Sequence, residues 1–425
     1  MGAAFGRRPG LSVSPPVYRN SDFYSFVSAR FLATIGMMVQ SVAIGWQIYA
    51  ISDSTLALGF VGLAQFVPMF LLTLPAGDIS DRFDQRKVLA GAYTVEALCG
   101  ALFLILSLHG TQSVWPFYAV LTLFGAARGF SGPAGQSLIA FLVPEEKLPR
   151  AIALNSSAFT TAVIAGPALG GFLYALGPVP TYATCAIAFL GAGFFTFGLG
   201  GRRRDDSAGI ASSALARVAE GVGFVRSRPV VLGAISLDLF AVLLGGAVAL
   251  LPVYARDILH EGPVGLGILR SAPAAGAALV ALLLARWPLE RHSGRVMFSA
   301  VAVFGIATIV FGLSTNFMLS LVALFVLGAS DMISVFIRSS LIQFATPDAM
   351  RGRVSAVNML FIGASNELGE FESGITAAWF GTMPAVVLGG LGTLGVVGLW
   401  MWMFPPLRKV DRLHDVAPKA VPGKV

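Results

Sequence analysis

The chain has 425 residues, of which 56% are hydrophobic and only 12% are charged, and its mean hydropathy is +0.78. A soluble domain of this size would carry about twice that charged fraction, so this composition excludes one. The formal net charge of +7 does not indicate a nucleic-acid partner, because the basic residues lie in short segments between apolar runs.

Apolar stretches long enough to cross about 30 Å of hydrocarbon as a helix recur along the chain. We predict spans near residues 23–50, 56–79, 87–108, 115–142, 152–176, 180–200, 229–256, 264–286, 294–315, 317–343, 354–380 and 383–405. The expected fold is an all-α integral membrane protein with twelve transmembrane helices in two six-helix bundles.

The loops between the spans predict the orientation. If the N-terminus is cytoplasmic, nearly all basic loop residues lie on that side, and Arg256 is essentially the one on the other. This bias places both termini inside, in a multi-pass protein of the cell inner membrane with the lipid bilayer around it.

The longest inside loop separates six spans from six. We expect a cytoplasmic tail at 1–22, a first bundle at 23–200, and a linker with an amphipathic surface helix at 201–228. A second bundle at 229–406 and a cytoplasmic tail at 407–425 would follow. A shift of 203 residues aligns the fourth and fifth spans with the tenth and eleventh, for example Asn155 with Asn358. The two halves therefore read as an internal repeat.

Residues 77–87 form a short loop between the second and third spans. They resemble the loop signature G-x-x-x-D-R-x-G-R-R/K of the major facilitator superfamily, and the match is carried by Gly77, Asp81, Arg82, Arg86 and Lys87. Gly77 would let two helix ends approach closely, and Asp81 would accept hydrogen bonds from a helix N-terminus or an arginine. We expect a conformational latch, whose basic half is weakened by Asp84.

Two further motifs agree with that resemblance. Arg128 and Gly132 resemble the superfamily's R-x-x-x-G segment, which is associated with proton handling. Gly166, Pro167, Gly170 and Gly171 are similar to its antiporter segment, although Ala162 replaces the leading glycine. The resemblance implies an exporter of the drug:proton antiporter branch, similar to macrolide-efflux and enterobactin-exporter members.

Carboxylates within spans are costly unless they face protein or a water-filled cavity. Glu367 and Glu370 lie three residues apart and share a helix face, whereas Glu372 points to the other side. A carboxyl that takes up and releases a proton is what coupling to a proton gradient requires. We therefore assign proton coupling to Glu367 and Glu370, together with Asp331 and Arg128. The open alternative is that arginine or backbone partners simply neutralise these carboxylates.

Other polar residues within spans predict a substrate cavity. Arg30 and Asp238 occupy similar places in the first and seventh spans, which in the resembled fold line the cavity, and their opposite signs suggest a pair between the halves. Asp331 and Arg338 share a face, for the cavity or for packing ion pairs. Glu96 is expected to have a structural partner, and Arg270 to extend to the membrane interface. The full predicted cavity set is Arg30, Thr34, Met37, Gln40, Ser41, Gln47, Asp238, Arg338 and Asn366.

Several chemistries have no support in the sequence. No P-loop follows a strand, the four histidines lack metal-ligand spacing, and no Ser/His/Asp set can be assembled within a span. We predict no enzyme activity, cofactor or metal. The predicted function is proton-coupled export of a small amphipathic molecule, a drug or a siderophore, by a monomer working through alternating access. A cation- or sodium-coupled facilitator or importer, and a non-transporting membrane sensor or partner subunit, remain as alternatives.

Overall fold

A computed structural model describes residues 20–200, 214–289 and 291–416. Within these ranges, twelve long helices of 16 to 33 residues are present. The first six are α1 Asn20–Ser52, α2 Thr55–Arg82, α3 Gln85–Leu108, α4 Trp115–Leu142, α5 Leu148–Ala175 and α6 Pro178–Phe197. After the shorter α7, Ala214–Ser227, follow α8 Pro229–Leu244, α9 Gly262–Arg286, α10 Ser293–Leu313, α11 Phe317–Ala345, α12 Asp348–Phe380 and α13 Thr382–Met403.

The helix ends follow local capping chemistry. Ser54 and Asn316 accept a backbone N–H at the starts of α2 and α11, which satisfies donors that the first helical turn leaves free. Proline stands in the first turn of α4, α5, α6, α8 and α9, where its missing N–H costs nothing. The predicted spans therefore match the helices to within a few residues, except that α8 ends early, at Leu244. From there, short helical turns carry the chain to Ile258.

The helices form two groups around two interfaces. α1 to α6 pack mainly on one another, and α8 to α13 do the same, while α2 packs on α12 and α5 on α9 across the middle. The apolar interior of the first group centres on fully buried residues such as Phe103 and Phe189, and that of the second on residues such as Phe311 and Leu341. The two-bundle architecture was predicted, and the predicted domain boundaries stay predictions.

Ten of the long helices in the described ranges are, by length and composition, apolar enough to cross a membrane. The other two, α4 and α12, are the helices that carry Arg128 and the pair Glu367 and Glu370. Because they pack among apolar helices, we treat them as spans whose charges face inward.

The helix α7 lies within the predicted linker. Its described part packs on α12 and α8, and Glu220 forms an ion pair of 2.6 Å with Arg353. Val225 is 4% exposed and joins a buried cluster with Val231 and Val357. The apolar face of α7 therefore packs mainly on the second group of helices, and its position at the membrane surface stays a prediction. The first part of the predicted linker, 201–213, lies outside the described residues.

Candidate functional site

A cavity of about 170 Å³ lies between the two groups of helices. Its apolar wall includes Met37, Ile44 and Phe124. Its polar lining comes from both groups and consists of Gln40, Ser41, Gln65, Arg128, Arg270, Glu367 and Glu370. The sequence analysis assigned proton coupling to Glu367, Glu370, Arg128 and Asp331, and the structure brings the first three, but not Asp331, together here.

Arg128 and Glu367 form a contact between the two groups. The Arg128 Nη1 atom lies 3.7 Å from Glu367 Oε1, and the side chains are 27% and 17% exposed. This distance is longer than a hydrogen bond. The two opposite charges are therefore adjacent, but no hydrogen bond holds them together. Glu370 lies one turn further along α12 and faces Gly62 of α2, where a Cβ atom would be 3.0 Å from its Oε2. Both carboxylates thus line the central cavity.

Arg270 is a second cation in this cavity, which corrects the expectation that it extends to the membrane interface. Its Nη1 atom lies 3.9 Å from where a Cβ at Gly45 of α1 would stand. Electrostatic attraction from Arg128 and Arg270 acts on both Glu367 and Glu370. Among the residues that the structure describes, the four ionisable groups that line the cavity therefore balance in formal charge.

Of the α1 residues that were predicted to line the cavity, some do and others do not. Met37, Gln40 and Ser41 line the cavity, and Gln40 is 3% exposed with its Oε1 unpaired among the described residues. Thr34 and Gln47 do not line it. Thr34 Oγ1 donates to the Arg30 carbonyl oxygen at 2.8 Å, and Gln47 Oε1 accepts from the Tyr182 hydroxyl at 2.6 Å. Three of the predicted α1 residues therefore line the cavity, whereas Gln47 faces α6 within the first group of helices.

The predicted pair between Arg30 and Asp238 is wrong. Asp238 Oδ2 lies 2.6 Å from Arg338 Nη1, and both side chains are almost fully buried inside the second group. Arg30 instead lies against Gly135 of α4, inside the first group. None of these three charged residues lines the central cavity, so their predicted contact with substrate finds no support.

The remaining polar and charged residues of the prediction lie apart from the central cavity. Asp331 is partly buried beside Asp238 and Arg338, whose charges act on it, and makes no hydrogen bond or ion pair with any described residue. Asn366 is exposed and does not line the cavity. Glu96 accepts a hydrogen bond of 3.0 Å from Ser131, which confirms its expected structural partner.

The two groups approach most closely at one end. A Cβ at Gly171 of α5 would lie 2.4 Å from the Pro263 carbonyl oxygen and 2.9 Å from Gly267 Cα of α9. A Cβ at Gly374 of α12 would lie 2.7 Å from Gly59 Cα of α2. No side chain larger than hydrogen fits these crossings. The antiporter-like segment therefore lies at a tight interface between the groups.

Four residues that the sequence analysis did not assign to the site join the groups at the same end. We call them the clamp: Tyr49 and Asp53 from the end of α1, and Arg256 and Asp257 from the turns before α9. Arg256 pairs with Asp53 and lies 4.0 Å from the centre of the Tyr49 ring. Tyr49 donates its hydroxyl to Asp257, which also pairs with Arg256 at 2.7 Å. In the sequence, the signal for the clamp was that Arg256 is essentially the one basic residue in the predicted outside loops.

The opposite end, where the predicted latch lies, is looser. A Cβ at Gly77 would meet no atom within 4 Å, so the described part of the molecule shows no close approach there. Arg86 pairs with Asp84 at 2.6 Å and donates to the Leu199 carbonyl oxygen, as expected if Asp84 draws the basic half away. Lys87 is exposed. The side chains of Asp81 and Arg82 lie outside the described part of the molecule.

Comparison with known proteins places the chain in a family. Residues 12–424 match the family described as transmembrane secretion effector. The chain is 29% identical over 400 residues to the multidrug efflux pump Tap of Mycolicibacterium fortuitum, covering 90% of this chain and 95% of that protein. It is 23% identical over 407 residues to macrolide efflux protein A of Streptococcus pyogenes, covering 92% and 97%. It is 24% identical over 363 residues to a Na⁺, Li⁺, K⁺/H⁺ antiporter of Planococcus maritimus, covering 79% and 85%.

Solved structures show the same fold. A mutant of the nucleoside transporter NupG superimposes with a TM-score of 0.71 at 12% identity, covering 90% of this chain and all of that one. A bacterial homologue of the lysosomal transporter Spinster superimposes with a TM-score of 0.70 at 12% identity, covering 92% and 96%. The chain therefore belongs to the transmembrane secretion effector family of the major facilitator superfamily, a family of membrane transporters.

Proposed function

We propose that the protein is a secondary transporter of the inner membrane that exports a small amphipathic molecule in exchange for protons. The observation that carries this proposal is the cavity shared by both groups of helices, in which Glu367 and Glu370 face Arg128 and Arg270. A protein that alternates access needs its binding site between two rocking halves, and this cavity occupies that place.

The exchange follows from the charges that line the cavity. With both carboxylates ionised, the two arginines balance them, and a proton adds one positive charge. Like charges at one site disfavour each other, so a bound proton and an amphipathic cation would compete for it. In the proposed cycle, a proton enters from outside, leaves to the cytoplasm, and its release accompanies substrate binding. Efflux pumps among the relatives, Tap and macrolide efflux protein A, support the direction.

The clamp and the tight glycine crossings define which end is closed. With both termini placed in the cytoplasm, that end faces outward, so this conformer is closed to the outside. A cavity of about 170 Å³ is smaller than the 300–1,000 Å³ typical of sites for drug-sized ligands. Export of such a molecule therefore requires the halves to separate further at the latch end.

Everted vesicles from a host that lacks its own exporters test the proposal. A panel that includes a macrolide, a fluorescent amphipathic cation and a siderophore is added to vesicles with an acidic interior. We expect at least one compound to release protons in vesicles with the native protein. Replacing Glu367 and Glu370 together by Gln should abolish this release. Glu372→Gln, on the same helix but outside the cavity, should leave it intact.

A second candidate is exchange of an alkali cation for protons at the same carboxylates, favoured by the antiporter from Planococcus maritimus among the relatives. Sodium or potassium alone would then release protons in the same vesicles, and the Gln double variant would lose that response. If no compound and no ion releases protons although the protein is present and folded, proton exchange is contradicted. A facilitator or a sensor on this fold would then fit better.

A further inference from the structure

A second cavity, of about 860 Å³, lies where α10 begins and α13 ends. Its apolar wall includes Phe298 of α10 and Val397 and Met401 of α13. Arg295, Arg408 and Lys409 line its other side. Apolar walls next to a cluster of cations are the surface that an amphipathic anion would fit.

The backbone that carries these cations is held in place. After α13, the chain folds back onto the first residues of α10, where Ser293 N donates to the Asp411 carbonyl oxygen and Gly294 N to that of Val410, both at 3.0 Å. Leu407 is fully buried beneath this turn. The basic side chains therefore project from a fixed frame rather than from a free tail.

The positive charge of this cluster is not neutralised within the described parts of the protein. Neither Arg295, Arg408 nor Lys409 has a carboxylate within 4 Å there. Asp411 also lines the cavity, but it accepts the His292 backbone N–H at 3.0 Å and lies 3.8 Å from the His292 ring. Three exposed cations around one cavity attract a negatively charged group.

The position of the cavity favours a lipid as the anion. The outer faces of α10 and α13 expose Val303, Leu399 and Trp402, the last 77% exposed. Apolar residues on an outer helix face contact lipid tails, and tryptophan near a helix end lies at the level of the headgroups. Clusters of basic residues between membrane helices at that depth bind anionic headgroups.

We propose that this cavity binds an anionic phospholipid. Arg295, Arg408 and Lys409 hold its phosphate group, and its acyl chains lie along the apolar surfaces of α10 and α13. Free phosphate has the same chemistry as the headgroup, but it has no acyl chains to contact the apolar wall. The site is separate from the central cavity, so it stands whether or not the protein exchanges protons.

Thermal unfolding of the purified full chain in neutral detergent tests this site. Phosphatidylglycerol, phosphatidylcholine or inorganic phosphate is titrated in, and native mass spectrometry counts the lipid retained. We expect phosphatidylglycerol to raise the melting temperature and to stay bound, and the other two to do neither. A variant with Arg295, Arg408 and Lys409 all changed to Gln should bind about a hundredfold more weakly, since each basic side chain contributes about a factor of five.

A matched variant changes Arg226, Arg228 and Arg291 to Gln, which removes the same charge from exposed positions outside the cavity. It should retain native affinity. Stabilisation by phosphate equal to that by phosphatidylglycerol overturns the lipid assignment, and equal binding by both triple variants overturns the site. Should the first triple variant fail to fold, its three single variants are measured, and each should lose about fivefold.

Discussion

Replacing Arg256 by Ala should favour conformers that are open at the clamp end. Arg256 supplies two of the clamp's contacts between the two groups of helices, one with Asp53 and one with the Tyr49 ring. The hydrogen bond from Tyr49 to Asp257 also joins the groups and would remain in this variant. Its ion pair with Asp257 lies within one segment and orients the guanidinium without bridging the groups. Removing the side chain therefore weakens the closed form and leaves each group internally intact.

The expected size of the effect follows from the exposure of these residues. The Asp53 side chain is 74% exposed and that of Arg256 30%, so the ion pair contributes about 0.2–1 kcal/mol, as surface pairs do. The guanidinium over the Tyr49 ring adds about 0.5–1 kcal/mol. A loss of about 1–2 kcal/mol changes the ratio of closed to open conformers about five- to thirtyfold.

Spin labels at Ser113 and Thr315 report this ratio. Both residues are exposed and lie in loops at the clamp end, one in each group of helices. Pulsed electron resonance should show a larger long-distance population in Arg256→Ala than in the native protein. Arg286→Ala is the matched control, because Arg286 also lies against an aromatic ring, that of its neighbour Trp287. If both variants shift the distances equally, the clamp does not hold this end closed.

Three further outcomes are expected. Asp238→Asn should cost about 3–5 kcal/mol of stability in chemical unfolding, because it leaves Arg338 charged and buried without its partner; a cost under 1 kcal/mol would contradict this. Gly374→Val should enrich the open form in the same spin-label assay, because a Cβ at Gly374 would meet a backbone atom at 2.7 Å. Gly398→Val is the control and should not enrich it, because a Cβ at Gly398 would meet no described atom within 4 Å. Gln47→Leu should destabilise the protein by about 1–3 kcal/mol and leave substrate affinity unchanged; a loss of affinity alone would return Gln47 to the cavity.

The sequence predicted those features that depend on the membrane as a solvent. Hydrocarbon requires long apolar helices and excludes unpaired charge, so the spans and the inward placement of Glu367 and Glu370 followed from composition and spacing. The repeat predicted the two groups of helices. Small residues permit close helix packing, and Gly171 lies at a tight crossing against α9.

Partners across the interior could not be predicted in the same way. Arg30 and Asp238 matched in position and sign, but whether a long side chain reaches the other half depends on helix rotation, which one sequence does not fix. Arg270 has enough length to reach either the interface or the cavity, and only the packing of α9 on α5 and α1 decides between them. The clamp combines the end of α1 with the helical turns before α9, which are distant in sequence, so no local pattern joined them.

Proton coupling at Glu367 and Glu370 is tested most directly in proteoliposomes, once the panel has identified an exported compound. Two rates are measured: substrate uptake driven by a pH gradient, and substrate counterflow without a gradient. Counterflow requires the halves to rock but requires no net proton transfer, so the ratio of the two rates reports coupling. The double Gln variant should keep counterflow and lose gradient-driven uptake. A double variant with the native ratio of the two rates would show that these carboxylates do not couple export to protons.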